Sequence, residues 1–318
     1  MVQTAADKAT REVFGPTLAK LCREGLDIVC VDADLGYSTS AVKFGKEFPE
    51  RFFAVGVAEQ NMIGVAAGLA SCGKVAFCSS FAVFAPGHCF DQLRMAVAQP
   101  GTNVKLFASH AGVVTGEDGA SAEALEDLAL MLSMPTFNVL FPADAVECEQ
   151  AIEAAARTDG PFYIRAMRPK TPIIFDDSYR FELGVWPVLR EGKDVTLIAC
   201  GELVKAALDA AEALSGRGVE ARVLNASSLR PFDKDALLAA ARETGAIVTA
   251  EDHFIHGGLG GLVATALAAE APVPVEFVGM ERYGTSGTWK QLLEHFDLTP
   301  EAIARAAGNA ISRKSRSA

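Results

Sequence analysis

The chain contains no Cys-x-x-Cys pair, no Gly-x-Ser-x-Gly elbow and no Walker A loop. The last two absences remove the serine-hydrolase and P-loop nucleotide-hydrolysis readings. Seven cysteines (Cys22, Cys30, Cys72, Cys78, Cys89, Cys148, Cys200) make an odd number, mostly in apolar surroundings. They read as buried, reduced thiols of a cytoplasmic protein rather than as a disulfide scaffold or a zinc site. No uninterrupted apolar stretch reaches membrane-spanning length, and the opening Met1-Val2-Gln3-Thr4 lacks the apolar core of a signal peptide. Positive charge is also short. Lys and Arg number 29 against 40 Asp and Glu, giving a net charge of −11. That balance argues against nucleic acid or an anionic membrane as a partner.

What is present is a globular composition, half of it hydrophobic, in 318 residues, enough for two domains of ordinary size. Short β-branched runs alternate with alanine-rich stretches. The predicted strands are Asp27–Val31, Phe52–Val55, Val75–Ser79, Val104–Ala108, Thr136–Leu140 and Phe162–Arg165. Helices are predicted at Ala9–Glu24, Asn61–Ser71, Gly87–Ala98, Ala122–Leu132 and Asp144–Arg157. The alternation predicts an α/β fold with a parallel sheet and helices on both faces. After Arg168-Pro169-Lys170 the order loosens, and a second β/α series follows, with strands at Val195–Ala199, Ala221–Leu224, Ala246–Ala250 and Val275–Val278. Its helices start near Leu203, Lys234, Gly260 and Lys290. The expected division is a first domain over 1–172, a linker over 173–190 and a second domain over 191–318.

One segment stands out. In Val55-Gly56-Val57-Ala58-Glu59-Gln60-Asn61-Met62 a glycine turn leads from a strand into a long apolar helix headed by a lone glutamate. An isolated carboxylate there is costly to desolvate unless something shares its proton. Left at the surface it would simply be favoured by the helix dipole. The segment Ser79-Ser80-Phe81-Ala82-Val83-Phe84 follows a strand, and its phenylalanine pair reads either as core or as an aromatic platform. A glycine-rich acidic loop, Ser109-His110-Ala111-Gly112-Val113-Val114-Thr115-Gly116-Glu117-Asp118-Gly119, closes another strand.

Together these segments resemble the transketolase family of thiamine diphosphate enzymes. The resemblance covers the pyrimidine-binding and C-terminal domains over nearly the whole chain. It implies two parallel-sheet domains, a pyrimidine-binding domain followed by a transketolase C-terminal domain. By that resemblance Glu59 hydrogen-bonds N1′ of the cofactor's aminopyrimidine, and Phe81 and Phe84 line the pyrimidine pocket. Asp34 and Leu35 reach the thiazolium side. His110 and Asp118 contact the sugar beside its reactive carbon, with His110 placed beside Glu59 in the catalytic set. Arg11, Ser38 and Arg165 match positions that hold a sugar phosphate, a role suited to arginine's planar fork.

The chain departs from the family pattern after the loop. A Thr/Ser-His-Gln run is usual there, and this sequence has Ser121-Ala122-Glu123. Alanine cannot replace an imidazole that donates to a substrate oxygen, so a donor other than the ordinary pentulose phosphates, in a member of altered specificity, is expected. The Gly-Asp-Gly…Asn segment that carries diphosphate and Mg²⁺ in this superfamily is absent from the sequence. The resemblance is therefore closest to the C-terminal subunit of a split transketolase. It implies thiamine diphosphate and Mg²⁺ shared with an N-terminal partner subunit, sugar phosphate substrates, and a homodimer of this chain inside a heterotetramer. No metal site is assigned to this chain itself. Alternative readings are a 2-oxoacid dehydrogenase β subunit, a deoxyxylulose-phosphate-synthase-like enzyme, and an inactive partner-binding paralogue. His253 and His256 have metal-like spacing without further ligands, and Gly257-Gly258-Leu259-Gly260-Gly261 is a weak nucleotide signal.

Overall fold

A computed structural model describes residues 7–317. The first six residues, which open the segment read above for a signal peptide, lie outside the described residues. The chain forms two sheets, both mostly parallel. The first is built from β1 (Ile28–Asp32), β2 (Phe52–Ala54), β3 (Val75–Phe81), β4 (Val104–Ser109), β5 (Asn138–Leu140) and β6 (Phe162–Arg165). The second takes β7 (Val188–Arg190), β8 (Val195–Ala199), β9 (Ala221–Asn225), β11 (Ile247–Phe254) and β12 (Val275–Met280), while β10 (Ser228–Arg230) returns to the first. The strand orders are β10-β5-β6-β4-β3-β1-β2 and β12-β11-β8-β9-β7. Central strands β1 and β4 are buried at every residue, as expected where helices cover both faces.

Each sheet carries one antiparallel edge strand that the sequence pattern does not reveal. β7 pairs with β9, so the stretch expected as a linker ends inside a sheet. β10 pairs with β5 and ties the second half of the chain to the first sheet. Ile173, Ile174 and Phe175 are buried, and the N–H groups of Ile174 and Phe175 donate to Asp144 Oδ2 at 2.6 and 2.8 Å. The connection is therefore packed against the first unit over part of its course.

Two helix expectations need correction. The run expected at Gly87–Ala98 is broken into Ala85–His88, Phe90–Gln92 and a π-helical turn at Leu93–Ala98. The helix expected from Ala122 begins only at Asp127. Residues 122–126 are spent elsewhere: Ala124 C=O accepts Gly112 N–H, and Leu125 C=O accepts Phe254 N–H. Helices at Ala41–Glu47 and Pro300–Ser317 were not expected. Among the described residues no helix is long and apolar enough to cross a membrane.

Candidate active site

The glutamate helix runs from Glu59 to Ser71 and packs Met62, Ile63, Ala66 and Ala70 into the core. Glu59 is its only charged residue and is 8% exposed. Its carboxylate lies 3.6 Å from His88 Nδ1. From there a row of rings crosses the mouth of the sheet. His88 stacks on Phe84 at 5.3 Å between centroids, Phe84 on Phe81 at 5.8 Å, and Phe81 on His110 at 3.7 Å. The carboxyl ends of β3 and β4 supply Phe81 and the Ser109-His110 corner, the usual place for a ligand in an open parallel sheet.

His110 sits at a positive φ of 57°, which turns its ring off the strand line onto Phe81. Its Nδ1 is 2.8 Å from Ser109 Oγ. Burial pushes its pKa down to about 3, assisted by the charges of Arg11 and Arg168. At neutral pH it is an uncharged imidazole able to donate to, or accept from, a hydroxyl.

A charged rim lies beside this row. Arg11 donates from Nη1 to Ser38 C=O at 2.6 Å and from Nε to Arg168 C=O at 3.0 Å. Arg168 bonds Thr115 C=O at 3.0 Å and Glu117 at 2.6 Å, and reaches Asp118 at 3.9 Å. Arg11, Glu12, Glu117, Arg168 and Lys170 line one cavity of about 430 Å³. The Asp34–Ser38 turn is shaped from below by Asp32, which is buried and accepts Gly36 N–H at 3.0 Å and Ser79 O–H at 3.2 Å. Asp34 is exposed at φ 65° and Leu35 is half-buried.

One expected site residue is corrected. Arg165 has no exposed side-chain surface and bonds Asp127 through Nε at 2.8 Å and Nη2 at 3.1 Å. The same Nη2 also donates to Ala124 C=O and Asp252 C=O. A guanidinium sealed in this way cannot reach a sugar phosphate. Arg168, three residues on, is the cation at the rim, and the spacing of the sequence did not separate the two. The metal-like His253 is also structural: Nδ1 donates to Phe254 C=O at 2.8 Å, Nε2 accepts Ala129 N–H at 3.4 Å, and its pKa is pushed down to about 4, first by burial. The glycines after it serve Glu251, whose oxygens accept Leu259 and Gly260 N–H at 2.7 Å each. A Cβ at Gly258 would lie 2.0 Å from that carboxylate.

A family model described as "Transketolase, pyrimidine binding domain" matches residues 6–173, and "Transketolase, C-terminal domain" matches 184–303. The chain belongs to the transketolase family. A protein of Methanocaldococcus jannaschii named as a transketolase C-terminal section is 41% identical over 302 residues, covering 94% of this chain and 95% of that protein. A 6-deoxy-6-sulfo-D-fructose transketolase subunit of Clostridium sp. (strain MSTE9) is 40% identical over 305 residues, covering 96% and 95%. Among solved structures, a split-gene transketolase described as an inactive β4 tetramer superposes with a TM-score of 0.89 at 45% identity, covering 97% of this chain and all of that one.

Proposed function

We propose that this chain is the pyrimidine-binding and sugar-binding half of a two-chain transketolase that moves a two-carbon ketol unit from a ketose to an aldose. The observation that carries the reading is the row His110, Phe81, Phe84, His88 ending on the nearly buried carboxylate of Glu59. These residues suit the pyrimidine half of thiamine diphosphate, offering aromatic faces for a flat ring and one carboxyl at its edge. When bound, thiamine diphosphate supplies the carbanion at its thiazolium C2 that carries the two-carbon unit.

The chain's own residues do the remaining work. Glu59 holds a proton at N1′ of the pyrimidine, and Phe81 and Phe84 pack on the ring and exclude water. Asp34 and Leu35 face the thiazolium side. His110 and Asp118 orient the sugar hydroxyls. Arg11, Ser38 and Arg168 take the terminal anion, and Glu117 holds Arg168 in place. Diphosphate and Mg²⁺ belong to an N-terminal partner subunit. Two copies of this chain meet through the exposed Gly64 and Gly68 face of the glutamate helix, inside a heterotetramer. The names of the relatives as a section and a subunit, and the inactive tetramer formed by a similar chain, support this division.

A second reading of the donor has its own support. Ala122 stands where the family pattern has histidine, and the Clostridium relative is named for a sulfonated ketose. A sulfonate would meet the same Arg11 and Arg168 rim as a phosphate.

Calorimetry and reconstitution test the main reading. The isolated chain should bind the cofactor weakly and show no ketol transfer, and a matching N-terminal subunit with Mg²⁺ should restore both. In that complex Glu59→Gln should lower turnover by roughly two orders of magnitude, the scale of a lost positioned acid–base group. Tight Mg²⁺-dependent binding by the isolated chain, or full activity of Glu59→Gln, would sink it.

A further inference from the structure

Beneath the loop that carries Glu117 and Asp118 lies a set of carboxyl groups that the reaction above does not use. Asp252 of β11 has no exposed surface. Its Oδ1 accepts Val113 N–H at 2.9 Å, and its Oδ2 accepts Val114 N–H at 3.2 Å. Gly112, at φ 73°, lets the carboxylate come this close, since a Cβ there would lie 2.0 Å from Oδ2. Val113 begins the short 3₁₀ segment that ends at Asp118, three positions after His110. A side chain from the second sheet therefore holds the loop of the first.

Glu123 forms the neighbouring wall. It is 2% exposed, and neither carboxyl oxygen has a hydrogen-bond partner. It packs so closely on the 284 segment that a Cβ at Gly284 would fall 1.7 Å from Oε2. The charged and titratable groups around the Glu123 and Asp252 pair are Glu202, Glu251, His253 and the buried thiol of Cys200 from the second unit, Arg165 from β6, and Asp127 from the helix after the loop. Arg165 is committed to Asp127 and to two backbone carbonyls, one of them that of Asp252, and makes no bond to Glu123.

Burial pushes the Glu123 carboxyl up to about 7, with the charge of Asp252 as the second cause. Glu202 is held well above the ordinary carboxylate range by burial and then by Asp252. Asp252 is also raised by burial, but Arg165 and the two loop N–H donors favour its charged form. The charged form of Asp252 is thus the one with bonded support, while burial favours the protonated forms of Glu123 and Glu202.

We propose that Asp252 is a positioning residue for the substrate loop, and that Glu123 sets the strength of its grip. With Glu123 neutral the loop is latched; an ionised, unsolvated Glu123 beside Asp252 repels it and frees the two N–H groups. This rests on the reading of that loop as the sugar site. The second sheet thereby tunes sugar affinity with no residue of its own in contact with sugar.

Hydrogen exchange of the 112–118 segment in the full chain, corrected for the intrinsic effect of pH, reads the latch directly. Wild-type protection should fall about ten-fold from pH 6 to pH 8.5, the scale of one weakened bond to a charged group. Glu123→Gln should abolish that fall. Asp252→Asn should lower protection about ten-fold at both pH values, because one acceptor oxygen becomes a donor. In the assembled complex the donor KM should follow protection, with kcat and cofactor affinity within about two-fold, as uniform binding predicts. Unchanged protection in Asp252→Asn, persistence of the pH effect in Glu123→Gln, or a loss in kcat in place of KM would overturn the proposal. The expected exchange pattern in a complex without ketol transfer would support the latch and refute the function proposed above.

Discussion

Arg165 and Arg168 stand three residues apart on one stretch of chain and do opposite jobs. Arg165 ends β6 at the junction of the two units, where a fully buried charge must be matched. It finds Asp127, two carbonyls and the face of Phe141, whose ring centroid is 4.4 Å away. Arg168 has left the sheet and keeps a third of its side chain in solvent, where Glu117 and Asp118 hold it loosely. The same functional group is a structural pin where water is excluded and a candidate anion receptor where water can be displaced. Position relative to the end of the strand decides which.

Substitutions can break that comparison. Arg165→Met should destabilise the chain by about 3–5 kcal/mol in urea unfolding, because it strands Asp127 beside Asp252 without a cation. Arg168→Met should leave stability within about 0.5 kcal/mol, and in the assembled complex it should raise the KM of an anionic sugar about ten-fold, as loss of one charge-assisted contact predicts. If Arg165→Met kept wild-type stability and lost sugar affinity instead, the phosphate role expected from sequence would return to Arg165.

How much of this was legible beforehand follows from where each signal lies. Runs such as Ile28–Val31 in β1 and Val75–Cys78 in β3 show in sequence because strands covered on both faces read as near-continuous apolar residues. The three-residue edge strands β7 and β10 do not, since their pairing depends on partners distant in the chain. Glu59, Phe81, Phe84 and His110 form one constellation because local motifs place each at a strand end or helix start. His88 was invisible as a neighbour of Glu59: it sits in a helical run broken in several places, which no periodicity predicts. The Glu123 and Asp252 pair was equally hidden, because the two residues are 129 positions apart and meet only when the two units pack.

That pair gives the next test, of intermediate size. The Glu123 carboxyl would titrate near 4.5 in the unfolded chain and is pushed up to about 7 in the fold. Between those values the unfolded chain has released a proton that the folded chain still holds. Stability contributed by this group therefore declines as pH rises from about 4.5 to about 7 and is level above it. Glu123→Gln removes the titration. Relative to wild type it should gain on the order of 2 kcal/mol at pH 8 over its value at pH 4, read as a difference in unfolding midpoints. An identical difference at both pH values would mean that Glu123 ionises freely, and the buried carboxyl set would then carry no pH dependence at this position.

The smallest effect is expected at Ala122, on the opposite side of the same turn. Its N–H is tied to Gly119 C=O at 2.9 Å and its side chain is 8% exposed, so the backbone there is fixed and only the side chain is variable. Ala122→His restores the imidazole of the family pattern. In a pocket cut for xylulose 5-phosphate, the new donor would be neutral or helpful, because it bonds a substrate oxygen that alanine leaves to water. In a pocket re-cut for another donor, such as a sulfonated ketose, the added volume should impair the native reaction while activity on xylulose 5-phosphate rises by a few-fold, roughly the worth of one neutral hydrogen bond. The second outcome is the expected one, since Ala122 is buried and an imidazole there must displace what now packs on the methyl group. Competition between the two donors in wild-type and variant complexes measures it. A wild-type complex that already uses xylulose 5-phosphate as fast as the variant does would show that this pocket needs no imidazole, and that the alanine carries no change of donor.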